Sequence, residues 1–340
     1  MRHERYELAQ MQSLPLAAKV SMTKRRIRDW YDGWDGQVYL SFSGGKDSTV
    51  LKHIIDDMCL DIPCVYFDTG LDFPEARAFV KKNNAIMIKP KWNFRDVLIR
   101  YGYPVISKEV SNKLEEARIS YERGKTGTRT QRFFTGERKG EKYDYSRFAY
   151  LLDAPFKISA LCCDRMKKAP SKAYEKETGR KRIVALLAEE SRPREMDWIE
   201  RGCNAFDGKS PRSIPLAFWT EQDILQYIVQ NNVEICSVYG DIRHTQNGQL
   251  PGQINLLDSI GFAEGDKLYC TGTPRTGCVF CAYGAHHDKE PTRFQRLKQT
   301  HPKHWEYCIK GGEFVNGMWQ PSKDGLGMGF VLDYIGVKYE

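Results

Sequence analysis

Short apolar runs alternate along this chain with longer stretches that carry apolar residues at helical spacing. Residues 16–34 form an amphipathic helix, 37–42 a strand, and Val50, Leu51, Ile54, Ile55 and Met58 mark a helix over Asp47 to Met58. A second strand at Cys64 to Phe67, a helix around Pro74 to Val80 and a third strand at Ala85 to Ile88 continue the alternation. Further strands are expected at Arg182 to Leu187 and Ser213 to Leu216. Such alternation predicts the α/β class, with a doubly wound parallel sheet whose ligand crevice lies beyond the carboxyl ends of the strands. Residues 121–147 break the pattern: the segment is basic and Gly-rich, with Phe133, Phe134, Tyr143 and Tyr145 among the charges. It reads either as a solvated loop over the active site or as a nucleic-acid contact, where aromatics stack on bases and arginines neutralise phosphates.

The turn after the first strand is LSFSGGKDSTV, residues 40–50. Gly44 and Gly45 can take backbone angles closed to other residues and let an anion approach the main chain, and the following helix adds the positive end of its dipole. Lys46 adds a full charge, Ser43 and Ser48 offer hydroxyls, and Asp47 can cap the helix or help place a divalent ion. The loop reads as a phosphate cradle, yet it is neither the Walker loop nor the dinucleotide fingerprint. It resembles the SGGxDS loop of the ATP pyrophosphatases, whose adenine nucleotide alpha hydrolase fold cuts ATP between the α and β phosphates. FDTGLDFPE, residues 67–75, ends the next strand, so Asp68, Thr69 and Gly70 are expected to line the same crevice, with Asp68 a second carboxylate for Mg²⁺.

Composition narrows the partners. With 340 residues the chain can bury a full core. No stretch has the apolar length of a membrane span and the first residues lack a signal-peptide core, so a cytoplasmic protein is expected. The net charge of +8 suits a phosphate-rich partner, nucleotide or nucleic acid. The ten cysteines are not spread as a disulfide framework but bunch as Cys162-Cys163 and as Cys270, Cys278 and Cys281, which favours metal. Cys278 and Cys281 have the C-x-x-C spacing that zinc and iron–sulfur sites use. Two further thiols close such a site. The vicinal pair suits a cluster of several irons better than one ion, and Cys270 is an alternative ligand. His286 and His287 follow closely and are read as supporting or exposed side chains rather than ligands. Cys59, Cys64, Cys203, Cys236 and Cys308 stand alone.

SGGKDST, FDTGLDFPE, the vicinal thiols of CCDRMKKAP, EESRPRE at 189–195, IPLAFWTEQDILQYI at 214–228 and the closing C-x-x-C follow one another in an order that resembles the phosphoadenosine phosphosulfate reductase family. The resemblance spans roughly residues 37–284. It implies the alpha hydrolase fold over 36–235, preceded by a helical segment, 1–35, and followed by a cysteine-rich cluster-binding region, 236–340. It also implies a [4Fe-4S] cluster on Cys162, Cys163, Cys278 and Cys281, with Lys167 beside cluster and substrate and with Ser191 and Arg194 facing the nucleotide. Three departures refine the expectation. The full phosphate loop is kept where reductases relax it. No cysteine follows Cys308, whereas reductases carry a catalytic one in a Glu-Cys-Gly-Leu-His tail. Met166 replaces an expected arginine, and CDRMKKAP is closer to the ATP-hydrolysing branch involved in DNA phosphorothioation.

The expected activity is therefore that of an ATP pyrophosphatase-type enzyme. It would bind ATP and Mg²⁺ on residues 43–48, adenylate an acceptor for sulfur transfer and release pyrophosphate, with Lys46, Asp47, Lys167 and Arg194 carrying the chemistry. A sulfur-donor protein and, through the basic insertion, a nucleic acid are expected partners. The alternatives are a thioredoxin-dependent reductase using Cys308, and a nucleotide-binding sensor or subunit of a nucleic-acid-modifying complex that uses the insertion and the basic stretch 293–305.

Overall fold

The computed structural model describes every residue except 1–2, 126–128, 142, 209 and 246–266. Parts of the basic insertion and of the expected C-terminal region thus lie outside the described residues. The chain forms two compact units that interleave along the sequence: residues 1–68, 72–88 and 171–276 make the first, and 69–71, 89–170 and 277–340 the second. This division runs along different lines from the three consecutive segments expected from the sequence.

The first unit is built on a six-stranded sheet ordered Ile86–Ile88, Cys64–Phe67, Val38–Ser41, Lys181–Val184, Arg212–Ser213, Asn204–Ala205. All neighbours are parallel except the last pair. Val38, Tyr39 and Leu40 are wholly buried, as a central parallel strand demands. From that strand the chain winds outward through two neighbours on one side, then returns to pair Val38–Ser41 with Lys181–Val184 on the other, Leu40 lying opposite both Cys64 and Ile183. The strand order reverses there, so the crevice of this doubly wound sheet opens beyond the carboxyl ends of these two strands.

Helices Leu16–Asp32, Lys46–Asp57, Pro74–Lys82, Arg192–Arg201 and Glu221–Gln230 surround this core, contributing Ile27, Trp30, Val50, Leu51, Ile54, Val80, Trp198 and Ile224. A buried ion pair ties two of them: the Lys19 ammonium donates to Asp223 and to the Gln12 carbonyl, each at 2.6 Å, while Asp223 also closes the capping box of Thr220. Every polar atom of Lys19 is thereby answered, which is what a buried cation requires. An antiparallel pair, Ile242–Thr245 with Lys267–Cys270, also belongs to this unit.

The second unit pairs Ala282–Tyr283 in parallel with Val105–Ile106 and carries a C-terminal hairpin, Gly312–Val315 with Met318–Pro321. In the insertion Phe133, Phe134 and Tyr145 are buried and their rings cluster with Tyr143, with centroids 5.7 to 6.5 Å apart. The aromatics therefore make a small core of their own rather than a stacking platform. The basic side chains Arg123, Lys125, Arg132 and Lys139 remain exposed. The stretch 293–305 is similarly structural in part, with Phe294, Leu297 and Trp305 buried. No helix among the described residues is long and apolar enough to cross a membrane.

Candidate functional site

The glycine-rich turn leaves the central strand at the sheet's reversal and enters helix Lys46–Asp57. Gly44 has φ +71°, and a Cβ there would lie 2.7 Å from Val80 Cγ2 and 3.1 Å from the Ala76 carbonyl oxygen. Both the backbone angle and the close approach of helix Pro74–Lys82 exclude a side chain. At Gly45 a Cβ would meet Thr276 Oγ1 at 2.9 Å. Ser43 and Ser48 share a hydroxyl contact of 3.1 Å, the Gly45 N–H donates to Ser43 Oγ at 3.3 Å, and the Ser48 and Thr49 hydroxyls donate to the Gly45 carbonyl. The serines thus shape the turn.

Lys46 is almost fully buried, its Nζ 3.4 Å from Asp47 Oδ1, 3.3 Å from Glu221 Oε1 and 3.5 Å from the Pro274 carbonyl. Burial opposes its charge, but Asp47 and Glu221 more than offset that and hold the ammonium above its usual range. Its backbone N–H donates to the Tyr239 hydroxyl at 3.0 Å, which in turn contacts Thr276 Oγ1 at 2.9 Å. Burial pushes the Asp47 carboxyl up against the opposing pull of Lys46, whose ammonium is the ion-pair partner of its Oδ1. A largely buried carboxylate in a glycine-rich turn at a helix N-terminus is a donor that a divalent cation can use. Arg194 pairs with Glu190, and Arg275 reaches the same carboxylate at 3.6 Å. Burial and the Arg275 charge pull the Arg194 guanidinium below its usual range, while Asp47 acts the other way.

Lys46, Asp47 and Arg194 therefore meet in one unit, together with Glu190, Glu221, Tyr239, Arg275 and Thr276, none of which sequence reasoning had selected. Ser191 is exposed, at the N-terminus of helix Arg192–Arg201. The Asp68 carboxylate is held by Arg77, which donates from Nε at 3.0 Å and Nη2 at 2.7 Å, so it serves an ion pair here. Thr69 and Gly70 belong to the second unit, where Thr69 Oγ1 accepts from the Leu71 N–H at 3.1 Å. Cys270 is in the first unit, where Lys46, Asp47 and Glu221 act on it and burial raises its thiol. Its surroundings are those of the phosphate turn.

The other four thiols all belong to the second unit. Cys162 and Cys163 lead into one π-helical turn, Asp164–Lys168, a distortion that recurs at functional sites. Their sulfurs are 3.9 Å apart, and the hydrogen bond from Cys162 pulls the Cys163 thiol below its usual range, helped by Lys108 and Lys167. Cys278 and Cys281 flank a turn closed by the Cys281 N–H on the Cys278 carbonyl, 3.1 Å. Cys162 responds to the charges of both Cys281 and Cys278, and Cys281 to Cys163, Arg293 and Lys167. Two distant chain segments thus bring four thiols into one electrostatic group, with Lys167 among them.

Among the described residues no three His, Cys, Asp or Glu side chains are arranged to hold a single metal ion. The four thiols are grouped by the charges they exert on one another, with Lys108, Lys167 and Arg293 acting on them. His286 and His287 face each other at 3.8 Å between centroids, and burial lowers the His286 imidazole. Sequence reasoning also missed Arg293, whose Nη1 donates to the carbonyls of Cys281 (3.2 Å) and Tyr283 (2.9 Å), while Nε and Nη2 hold Asp288 at 2.7 and 2.8 Å. Its only sequence signal is a cation shortly after the C-x-x-C turn.

The reversal of strand order with a serine–glycine phosphate turn at its mouth defines an α/β nucleotide-type fold. The chain belongs to the phosphoadenosine phosphosulfate reductase domain family, whose model matches residues 37–282. An uncharacterised protein of Methanocaldococcus jannaschii is 34% identical over 129 residues, which is 33% of this chain and 31% of that protein. The chain thus covers about a third of that relative. Among solved structures, a phosphoadenylyl-sulfate reductase from Candida auris in complex with phosphate aligns at TM-score 0.36 and 12% identity, over 70% of this chain and 91% of its own. The U34-tRNA thiolase NcsA from Methanococcus maripaludis, with its [4Fe-4S] cluster, aligns at 0.32 and 15%, over 72% and 71%. Likeness so distant bears no argument about activity.

Arg293→Gln is expected to free the C-x-x-C turn and to lower stability by about 2 kcal/mol, since charge-assisted hydrogen bonds are lost. Alkylation of Cys281 in metal-free native protein should quicken several-fold relative to buried Cys308; an unchanged ratio would refute the anchoring role.

Proposed function

We propose that this protein is an ATP-using member of its family that adenylates an acceptor and carries a [4Fe-4S] cluster on Cys162, Cys163, Cys278 and Cys281. The observation that carries the reading is the complete SGGKDS turn, folded at the sheet's reversal with Lys46, Asp47 and Arg194 around it. An acceptor oxygen attacks the α-phosphorus, the bond to the β-phosphate breaks, pyrophosphate leaves, and the acceptor proton passes to solvent. The chain's part is electrostatic: turn N–H groups, Lys46 and Arg194 stabilise charge building on the departing pyrophosphate, and Asp47 holds the accompanying Mg²⁺. A sulfur nucleophile delivered by a donor protein then attacks the activated atom, its bond to the adenylated oxygen breaks, and AMP leaves carrying that oxygen. The cluster would be held by these four thiols, with Lys167 beside it.

The reductase alternative needs an attacking thiol, and Cys308 is a poor one: it is fully buried, and burial drives its thiol far above the range in which thiolate forms. A nucleic-acid acceptor is favoured by charge. The second unit holds 27 of the 52 lysines and arginines but only 17 of the 44 aspartates and glutamates, so it carries the whole positive excess of the chain. Because the insertion's aromatics are buried, its exposed cations would meet phosphates rather than bases.

Calorimetry on anaerobically purified protein should show MgATP binding more tightly than phosphoadenosine phosphosulfate, and Lys46→Ala weakening MgATP at least about tenfold, or 1.4 kcal/mol. Preference for the sulfonucleotide would return the protein to the reductases. The same preparation should hold about four irons and four sulfides, lost in Cys278→Ser; zinc without sulfide would remove the cluster. Binding to a single-stranded oligonucleotide should weaken with rising salt, and Arg123→Glu, Lys125→Glu and Lys139→Glu together should flatten that dependence. An unaltered salt slope would exclude the insertion from the interface.

A further inference from the structure

The segment Pro274-Arg275-Thr276 lies directly against the phosphate turn. Lys46 Nζ donates to the Pro274 carbonyl, Thr276 Oγ1 meets the Tyr239 hydroxyl that receives the Lys46 N–H, and the same Oγ1 fills the space that a Cβ on Gly45 would need. Arg275 is thus fixed at both shoulders while its side chain remains 57% exposed. Its guanidinium approaches Glu190, a carboxylate only 13% exposed that is already paired with Arg194. Two guanidiniums therefore share one carboxylate. Across the turn the arrangement is inverted, with Lys46 held between two carboxylates, Asp47 and Glu221. All six groups belong to the first unit.

We infer that Arg275 binds the terminal phosphates of the nucleotide, and that Glu190 occupies its guanidinium until they arrive. The inference rests on the ATP reading above and extends it to a residue that the phosphate turn does not contain. A planar guanidinium can grip phosphate oxygens through two parallel N–H bonds, and a polyphosphate competes for it better than a single carboxylate does. The field of Arg275 already acts on Asp47, Glu189 and Arg194, so its charge is felt across the group that a triphosphate would enter. Lys46, from the turn, and Arg275, from the segment packed against it, would then share the β- and γ-phosphates. Nucleoside and α-phosphate would owe little to Arg275.

The test compares wild type, Arg275→Gln and Arg275→Lys by calorimetry with MgATP, AMP and magnesium pyrophosphate as separate probes, with thermal melting as the folding control. Arg275→Gln should weaken MgATP and pyrophosphate by roughly tenfold to a hundredfold, the range of a charge-assisted contact, and leave AMP within about twofold. Arg275→Lys, keeping the charge without the fork, should recover part of the loss. Equal weakening of AMP, or unchanged MgATP, would overturn the assignment. If wild type binds pyrophosphate in an Arg275-dependent way but not MgATP, the ATP reading fails while the anion site stands. If it binds none of the three, both fail.

Discussion

A strand paired in parallel on both sides is the constraint from which the site follows. Val38–Ser41 has a neighbour to left and right and no solvent on either face, so its carboxyl end is the point where the chain regains freedom. The return strand Lys181–Val184 ends beside it, and the chain beyond delivers Glu190 and Arg194 to the same mouth. Parallel pairing thus turns residues some 150 positions apart into neighbours. The glycines at 44 and 45 let the turn lie close against helix Pro74–Lys82 and against Thr276, and at Gly44 the backbone angle and that helix leave no room for a side chain.

The electrostatics of that mouth are balanced against themselves. Lys46 lies between carboxylates, and Glu190 lies between guanidiniums. Mutual neutralisation lets a buried lysine and a buried carboxylate persist without a ligand, since neither charge is left alone in a poorly solvated place.

Much of this was legible in the sequence because it is local. The turn, its flanking strand and helix, and the two thiol pairs are contiguous words whose meaning depends on backbone geometry alone. Strands expected at Cys64 to Phe67 and Ala85 to Ile88 formed with boundaries within a residue, and the helix after the turn runs Lys46–Asp57. What escaped was carried by distance along the chain. Tyr239, Glu221 and Arg275 reach the turn only through tertiary packing and have no motif of their own. The insertion's aromatics suggested base stacking because composition cannot tell a ring turned outward from one that closes a small core. Asp68 looked like an ion ligand until Arg77, a helix away, took its carboxylate. The interleaving of the two units was equally hidden, since each draws on three stretches of chain.

That interleaving gives the cysteines a second meaning. Between Cys163 and Cys278 runs the whole stretch 171–276, which supplies half the strands of the first unit's sheet. Any group that bridges the two thiol pairs closes this stretch into a loop of about 115 residues, and by the chain-entropy relation used for cross-links such closure removes about 5 kcal/mol of freedom from the unfolded state. Such a bridge would then act on parts of the molecule it never touches, by narrowing what the chain can become when it unfolds.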